Sequence, residues 1–157
     1  MQDALQGFHL APFPVVAAPH NLALGGGYET IGAADRIVAS AELYTGLVEV
    51  GVGLIPGAGG NLRMILKLME KFEGGRPGPF PLAMKAFEAI GFAKVSTSAK
   101  EAVAIGYLTK SDKIIVNADY RFYEAKAEVL VMAENYATPV EHDDIFLPGA
   151  GGRFAME

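Results

Sequence analysis

Two glutamates and a run of glycines are the residues of this chain best suited to chemistry. In Ala23-Leu24-Gly25-Gly26-Gly27-Tyr28-Glu29 an apolar segment runs through three glycines into what can be the start of a helix. The first amides of a helix have no partner inside it and point outward along its dipole. Glycine removes the side chains that would keep a ligand away. Such a turn suits an oxyanion or a phosphate, and Glu29 sits one short turn inside the helix, within reach of whatever is held there. Glu49 lies in the apolar stretch Leu47-Val48-Glu49-Val50-Gly51. Apolar surroundings are expected to raise a carboxyl pKa by desolvation, which is useful to a general acid or base.

Each signal has a plainer reading. A glycine triplet is often only a tight turn. Glu29 can simply favour the positive end of its helix, and Glu49 can be a surface residue on an alternating edge strand. Other motifs fail. Gly51-Val52-Gly53-Leu54-Ile55-Pro56 has proline where a dinucleotide fingerprint needs its third glycine, and no Gly-Lys-Ser/Thr follows any glycine cluster. His142-Asp143-Asp144 is the nearest approach to metal-ligand spacing, and it reads more simply as a solvated acidic tail. His9 and His20 are isolated and read as structural, and Ser40 and Ser96 lack a nucleophile-elbow context.

The elements that must position these groups are legible in outline. A short helix over 1–9 has Leu5 and Phe8 on one side. Val15 to Ala18 reads as a buried strand between prolines, followed by Leu22-Ala23-Leu24, a helix over 28–34 and a second buried strand at Arg36 to Ala39. Residues 42–60 are glycine-rich and irregular. Helices are expected over 61–73 and 82–92, with a loop over 74–79 between them. Ser98-Ala99-Lys100-Glu101 has the form of a capping box opening a helix that stops at Gly106. Residues 113–116 look extended, Asn117 can cap a long helix to about Asn135, and the tail beyond Pro139 is polar, then glycine-rich. Strand–turn–helix–strand organisation points to an α/β domain. Two or three short strands make a small sheet, so the chain is expected to be a piece of a larger domain or to depend on assembly. The division expected is 1–116 for the core and 117–157 for a capping helix and tail.

Composition narrows the function. The 157 residues are the size of one domain, 51% hydrophobic, with net charge −5 and a pI near 5.2. Scattered cations and an acidic balance argue against nucleic acid as the main partner. Mean hydropathy is +0.26, yet no apolar run approaches the roughly 18–20 residues of a membrane span. There is no cysteine, which removes disulfides and thiolate catalysis. No secretory leader is visible, so a cytoplasmic protein is expected.

Four segments then act together. Pro14-Val15-Val16-Ala17-Ala18-Pro19, Ala23 to Glu29, Ala34-Asp35-Arg36-Ile37-Val38-Ala39 and Gly53-Leu54-Ile55-Pro56-Gly57-Ala58-Gly59-Gly60 resemble the crotonase (enoyl-CoA hydratase/isomerase) superfamily in order and spacing. The family carries one catalytic glutamate after its glycine triplet and a second 20 residues on, as Glu29 and Glu49 stand here. The match is close over about 12–63. Tyr44 to Gly53, Phe87 to Tyr107 and Leu147-Pro148-Gly149 resemble one subgroup, the C-terminal hydratase portion of bacterial fused 3-hydroxyacyl-CoA dehydrogenase/enoyl-CoA hydratase proteins of fatty-acid β-oxidation.

The resemblance implies a partial crotonase (ClpP/crotonase-like) fold, a few core strands with flanking helices and a helical C-terminal region. It implies catalysis by Glu29 and Glu49 on an acyl-CoA thioester. The Gly26 amide would be one of two oxyanion donors, and Gly25, Gly27, Pro56 and Gly57 would bind substrate. The glutamates would deprotonate water for attack at C3 and deliver a proton to C2, without a metal or redox cofactor in this chain. NAD would belong to the dehydrogenase part of the parent protein. The family's other oxyanion amide and much of its CoA surface come from upstream of the triplet, so the missing N-terminal portion is an implied partner. A homo-oligomer is implied by the helices over 82–135, since the family's C-terminal helices often build trimer contacts. Another crotonase reaction, such as isomerisation, and a non-catalytic acyl-CoA-binding or assembly module are the alternatives.

Overall fold

A computed structural model describes residues 1–72, 79–141 and 145–157. Of the loop expected over 74–79, residues 74–78 lie outside the described residues, as does the His142-Asp143-Asp144 candidate, and Pro79 already begins a helix.

The chain opens with helix α1 (Gln2–His9), then strand β1 (Val16–Ala17), strand β2 (Leu22–Leu24), helix α2 (Gly26–Gly32) and strand β3 (Arg36–Ser40). Strand β4 (Tyr44–Gly46) follows, then a single 3-10 turn at Glu49–Val52. The rest is mainly helical: α3 (Gly60–Lys71), α4 (Pro79–Gly91), α5 (Ala99–Ile105), a short strand β5 (Lys113–Ile115), α6 (Arg121–Ala133) and α7 (Gly149–Met156).

Among the described residues the five strands pair in parallel, and an isolated antiparallel bridge joins Thr45 to Ser96. One sheet has the order β1-β3-β5 and a second, two-stranded one pairs β2 with β4. Parallel strands need helical or long crossovers, and α2 supplies the first. Arg36-Ile37-Val38-Ala39-Ser40 is buried from Ile37 onward, as a strand covered on both faces should be. One side of the layer carries the main core, where Ile37, Leu43, Leu47, Met64, Leu68 and Leu108 are fully buried with Tyr28 and Tyr107. On the other, α6 packs across β1 and β3 through Ala125 against Val38 and Ile115.

Several expectations shift. The stretch read as irregular contains β4, because Thr45 is held on three sides: its Oγ1 donates to Ala23 O (2.7 Å), its N to Ser96 Oγ (3.2 Å), and its O accepts from Ser96 Oγ (3.1 Å). Ser98 Oγ does accept from the Glu101 amide (3.2 Å). The return bond goes one residue further back, Glu101 Oε2 accepting from Thr97 N and Thr97 Oγ1 (both 2.7 Å). Asn117 caps the turn Ala118–Tyr120 ahead of α6 rather than α6 itself. The glycine-rich tail forms α7, which lies against α4.

Candidate functional site

Register explains why the two glutamates approach the same glycine turn. Leu22, Ala23 and Leu24 pair with Tyr44, Thr45 and Gly46, and the Gly25 amide extends the ladder by donating to Gly46 O (2.8 Å). The C-terminal ends of two hydrogen-bonded parallel strands therefore emerge side by side, the usual place for a site in an open α/β layer. From the first, the glycine turn leads into α2 and Glu29. From the second, Leu47 and Val48 lead into the turn that starts at Glu49.

Both carboxylates face the glycine turn. A methyl group placed on Gly25 would lie 3.1 Å from Glu49 Oε1, and one on Gly26 would lie 4.0 Å from Glu29 Oε2. Gly25 adopts φ +54°, a backbone region glycine enters without penalty. The amides of Gly26 and Gly27 open the helix and have no acceptor among the described residues.

Glu29 is buried, only 4% exposed. Its Oε1 accepts from the amides of Ala58 (2.7 Å) and Gly60 (2.9 Å). The second glycine cluster thus opens α3 around the carboxylate of Glu29, the sort of anion a helix N-terminus favours. Gly60 must be glycine for space: a Cβ there would sit 2.5 Å from Leu47 Cδ2 and 3.0 Å from Glu29 Cγ. Glu49 is held differently. It is half-buried, its Oε2 is enclosed without a hydrogen-bond partner among the described residues, and Gly53 at φ +78° closes the turn that carries it.

The other predicted positions divide. Gly25 spends its amide on the strand ladder, leaving Gly26 and Gly27 as the free donors. Pro56 is buried and its carbonyl accepts from Asn61 Nδ2 (3.4 Å), whereas Gly57 is exposed. The role of Ala58 and Gly60 in gripping Glu29 was not anticipated. The signal was present, since Gly57-Ala58-Gly59-Gly60 is itself a glycine-rich helix start that suits an anion. Tyr107 was also missed. It is fully buried and its hydroxyl accepts from the Leu47 amide (3.2 Å), two residues before Glu49. Burial first, opposed by the bond from Leu47 and assisted by the charge of Glu49, holds its phenol above the ordinary value.

Two cavities lie behind this region. One of about 530 Å³ runs between α1 and α3 and includes Gln6, His9, Pro56 and Arg63. One of about 640 Å³ includes Asp35, Arg63, Lys67 and Pro139. Neither is lined by Glu29 or Glu49. Among the described residues no group of three or more His, Asp or Glu is arranged to hold a metal ion, and no helix is long and apolar enough to cross a membrane.

The chain carries part of a crotonase-type fold. The solved structures it resembles include enoyl-CoA hydratases. The chain is 30% identical to an enoyl-CoA hydratase subunit I from Geobacillus kaustophilus, with TM-score 0.61, covering 85% of this chain and 44% of that one. It is 28% identical to an enoyl-CoA hydratase from Bacillus anthracis, with TM-score 0.64, covering 85% and 45%. A Thermobifida fusca protein solved in complex with CoA shares the fold at TM-score 0.66 and 19% identity, covering 85% and 45%. In sequence the chain is 39% identical over 155 residues to a Bacillus subtilis protein named "Probable 3-hydroxyacyl-CoA dehydrogenase", covering 99% of this chain and 19% of that protein. The chain thus spans less than half of these solved neighbours and about a fifth of that relative. No protein-family model matches it.

Proposed function

We propose that this chain is part of an enoyl-CoA hydratase that adds water to trans-2-enoyl-CoA and forms 3-hydroxyacyl-CoA. The observation that carries the reading is the approach of Glu29 and Glu49 to one glycine turn from the ends of paired strands. The thioester oxygen would accept from the Gly26 amide, so that charge developing on it in the enolate-like transition state is met by a preorganised donor. The two carboxylates would bind the attacking water. As its oxygen bonds to C3, one water proton passes to a glutamate and a proton is delivered to C2, for a net addition of H2O across the double bond. No step requires a metal or a redox cofactor. The CoA complex of a fold neighbour supports an acyl-CoA substrate.

The shares covered, 44% and 45% of the hydratases and 19% of the dehydrogenase-named relative, support a longer parent polypeptide. In it the second oxyanion donor and the facing wall of the site come from outside this chain. A 3-hydroxyacyl-CoA dehydrogenase part using NAD, in a β-oxidation enzyme, is the parent most in keeping with the relative's name.

The test is hydration of a short enoyl-CoA, followed by loss of the enoyl thioester absorbance, for the chain alone and for the longer polypeptide containing it. Glu49→Gln should lower turnover by at least about 100-fold, the ordinary scale of general acid–base catalysis. Near-full turnover of that variant would defeat the assignment. Retained CoA-ester binding without turnover by the longer polypeptide would favour a binding module.

A further inference from the structure

We infer that Tyr107 is a positioning residue for Glu49, fixing through its hydroxyl the backbone from which that carboxylate projects. The kinetic consequence rests on the hydratase reading; the geometry does not.

The two glutamates are secured in unlike ways. Glu29 is gripped at the carboxylate itself by two amides. Glu49 has no side-chain hydrogen bond among the described residues, and its Oε2 is enclosed and unpartnered. Its direction is therefore set by its backbone, and that backbone leaves β4 through Leu47. The Leu47 amide donates to Tyr107 Oη (3.2 Å), and Tyr107 Oη donates to Lys94 O (2.8 Å). Lys94 O also lies directly under Gly46, where a Cβ would collide with it. The turn presenting that carbonyl contains Ala93 at φ +46°, a conformation an L-residue holds only when its surroundings impose it. One phenol thus joins the exit of β4 to a constrained carbonyl after α4.

The ring is itself immobilised. Gly106 at φ +114° ends α5 with no room for a side chain, since a Cβ would meet Leu68 Cδ2 at 2.6 Å, and the Tyr107 amide donates to Ala102 O (2.9 Å). The Tyr107 ring meets that of Tyr28 edge to face, centroids 4.9 Å apart, and Tyr28 is the neighbour of Glu29 in α2. The aromatic pair spans the core between the segments that carry the two carboxylates.

Tyr107→Phe keeps the ring and deletes only the hydroxyl. In the preparation that hydrates enoyl-CoA, kcat should fall about tenfold with KM changed by less than about twofold, as for loss of alignment rather than of binding. Tyr136→Phe, which removes a hydroxyl bonded to Asp35 and not to either glutamate or the glycine turn, should leave kcat unchanged. In the isotope-labelled full chain, the Glu49 carboxyl-carbon NMR signal should shift or broaden in Tyr107→Phe while that of Glu29 stays in place. Unaltered kcat, an unaltered Glu49 signal, or equal disturbance of both carboxyl signals would each overturn the assignment. Lack of hydration by the unmodified protein would instead remove the hydratase reading, and the two carboxyl signals would still decide the role of Tyr107.

Discussion

Glu29 and Glu49 are the same residue type on the same edge, yet their environments give them different tolerances. Glutamine at position 29 retains an oxygen able to accept from Ala58 and Gly60, so Glu29→Gln should unfold at nearly the urea concentration of the unmodified chain. Glu29→Ala leaves two enclosed amides without an acceptor and should cost about 1–3 kcal/mol in the same measurement. Gly60→Ala is expected to be as harmful from the opposite cause. Its new methyl must push aside Leu47 and the Glu29 stem, and overpacking of this kind costs about 1–3 kcal/mol. Because both displaced groups adjoin the glutamates, hydration should fall along with stability. The glycine triplet and the spacing to Glu49 were legible in sequence. The partners of Glu29 were not, because a hydrogen bond between residues 29 and 60 follows from a chain path rather than a local pattern.

Among the elements, α5 is the one whose start was most legible and whose cap can be dissected. Ser98→Ala should lower stability by about 1 kcal/mol, the common worth of an N-cap side chain. Glu101 adds a pH dependence. Its bonds from the Thr97 amide and hydroxyl hold its carboxyl below the ordinary value of 4.5. A folded-state value below the unfolded one means stability that is present above the unfolded value and lost as pH falls through the folded one. Glu101→Gln should therefore lower stability near neutrality and flatten the acid limb of a stability-versus-pH curve, the two proteins converging at low pH. β4 and α7 were not legible: β4 is three residues long and depends on Ser96 and Ala23, and a run such as Gly149-Ala150-Gly151-Gly152 has poor helix propensity.

Over the whole molecule, two contacts of long sequence separation and one open boundary matter most. Asp35 Oδ2 accepts from the Val15 amide (2.8 Å) and the Tyr136 hydroxyl (3.1 Å), tying the segment after α6 to the entry of β1. Burial first, then the Asp35 carboxylate, pushes the Tyr136 phenol up to about 12 from 10.0. The neutral phenol is thus favoured by folding. Its contribution is complete below pH 10.0 and disappears as pH rises toward about 12, so Tyr136→Phe should remove that part of the alkaline loss of stability. The open boundary is apolar. Val52 and Ile55 beside Glu49 are 75% and 76% exposed, with Leu22 and Leu54 also exposed, and β1 and β2 each pair on one side only among the described residues. Unpaired edges and apolar patches of this sort invite association. The chain alone should bind a hydrophobic dye and self-associate as concentration rises, and the longer polypeptide should do neither, as fluorescence and sedimentation would reveal.

What local chemistry dictates was readable from residue order: the strand–glycine–helix unit around Glu29, the capped start of α5 and the helical character of the later residues. These depend on propensities and periodicities a few residues long. Tertiary structure alone decided that α3 opens onto Glu29, that Tyr107 supports the chain ahead of Glu49, and that parallel pairing of β2 with β4 brings both carboxylates to one turn. Those contacts join residues distant in sequence, and their geometry is fixed by packing around a shared core, which no short window of residues encodes.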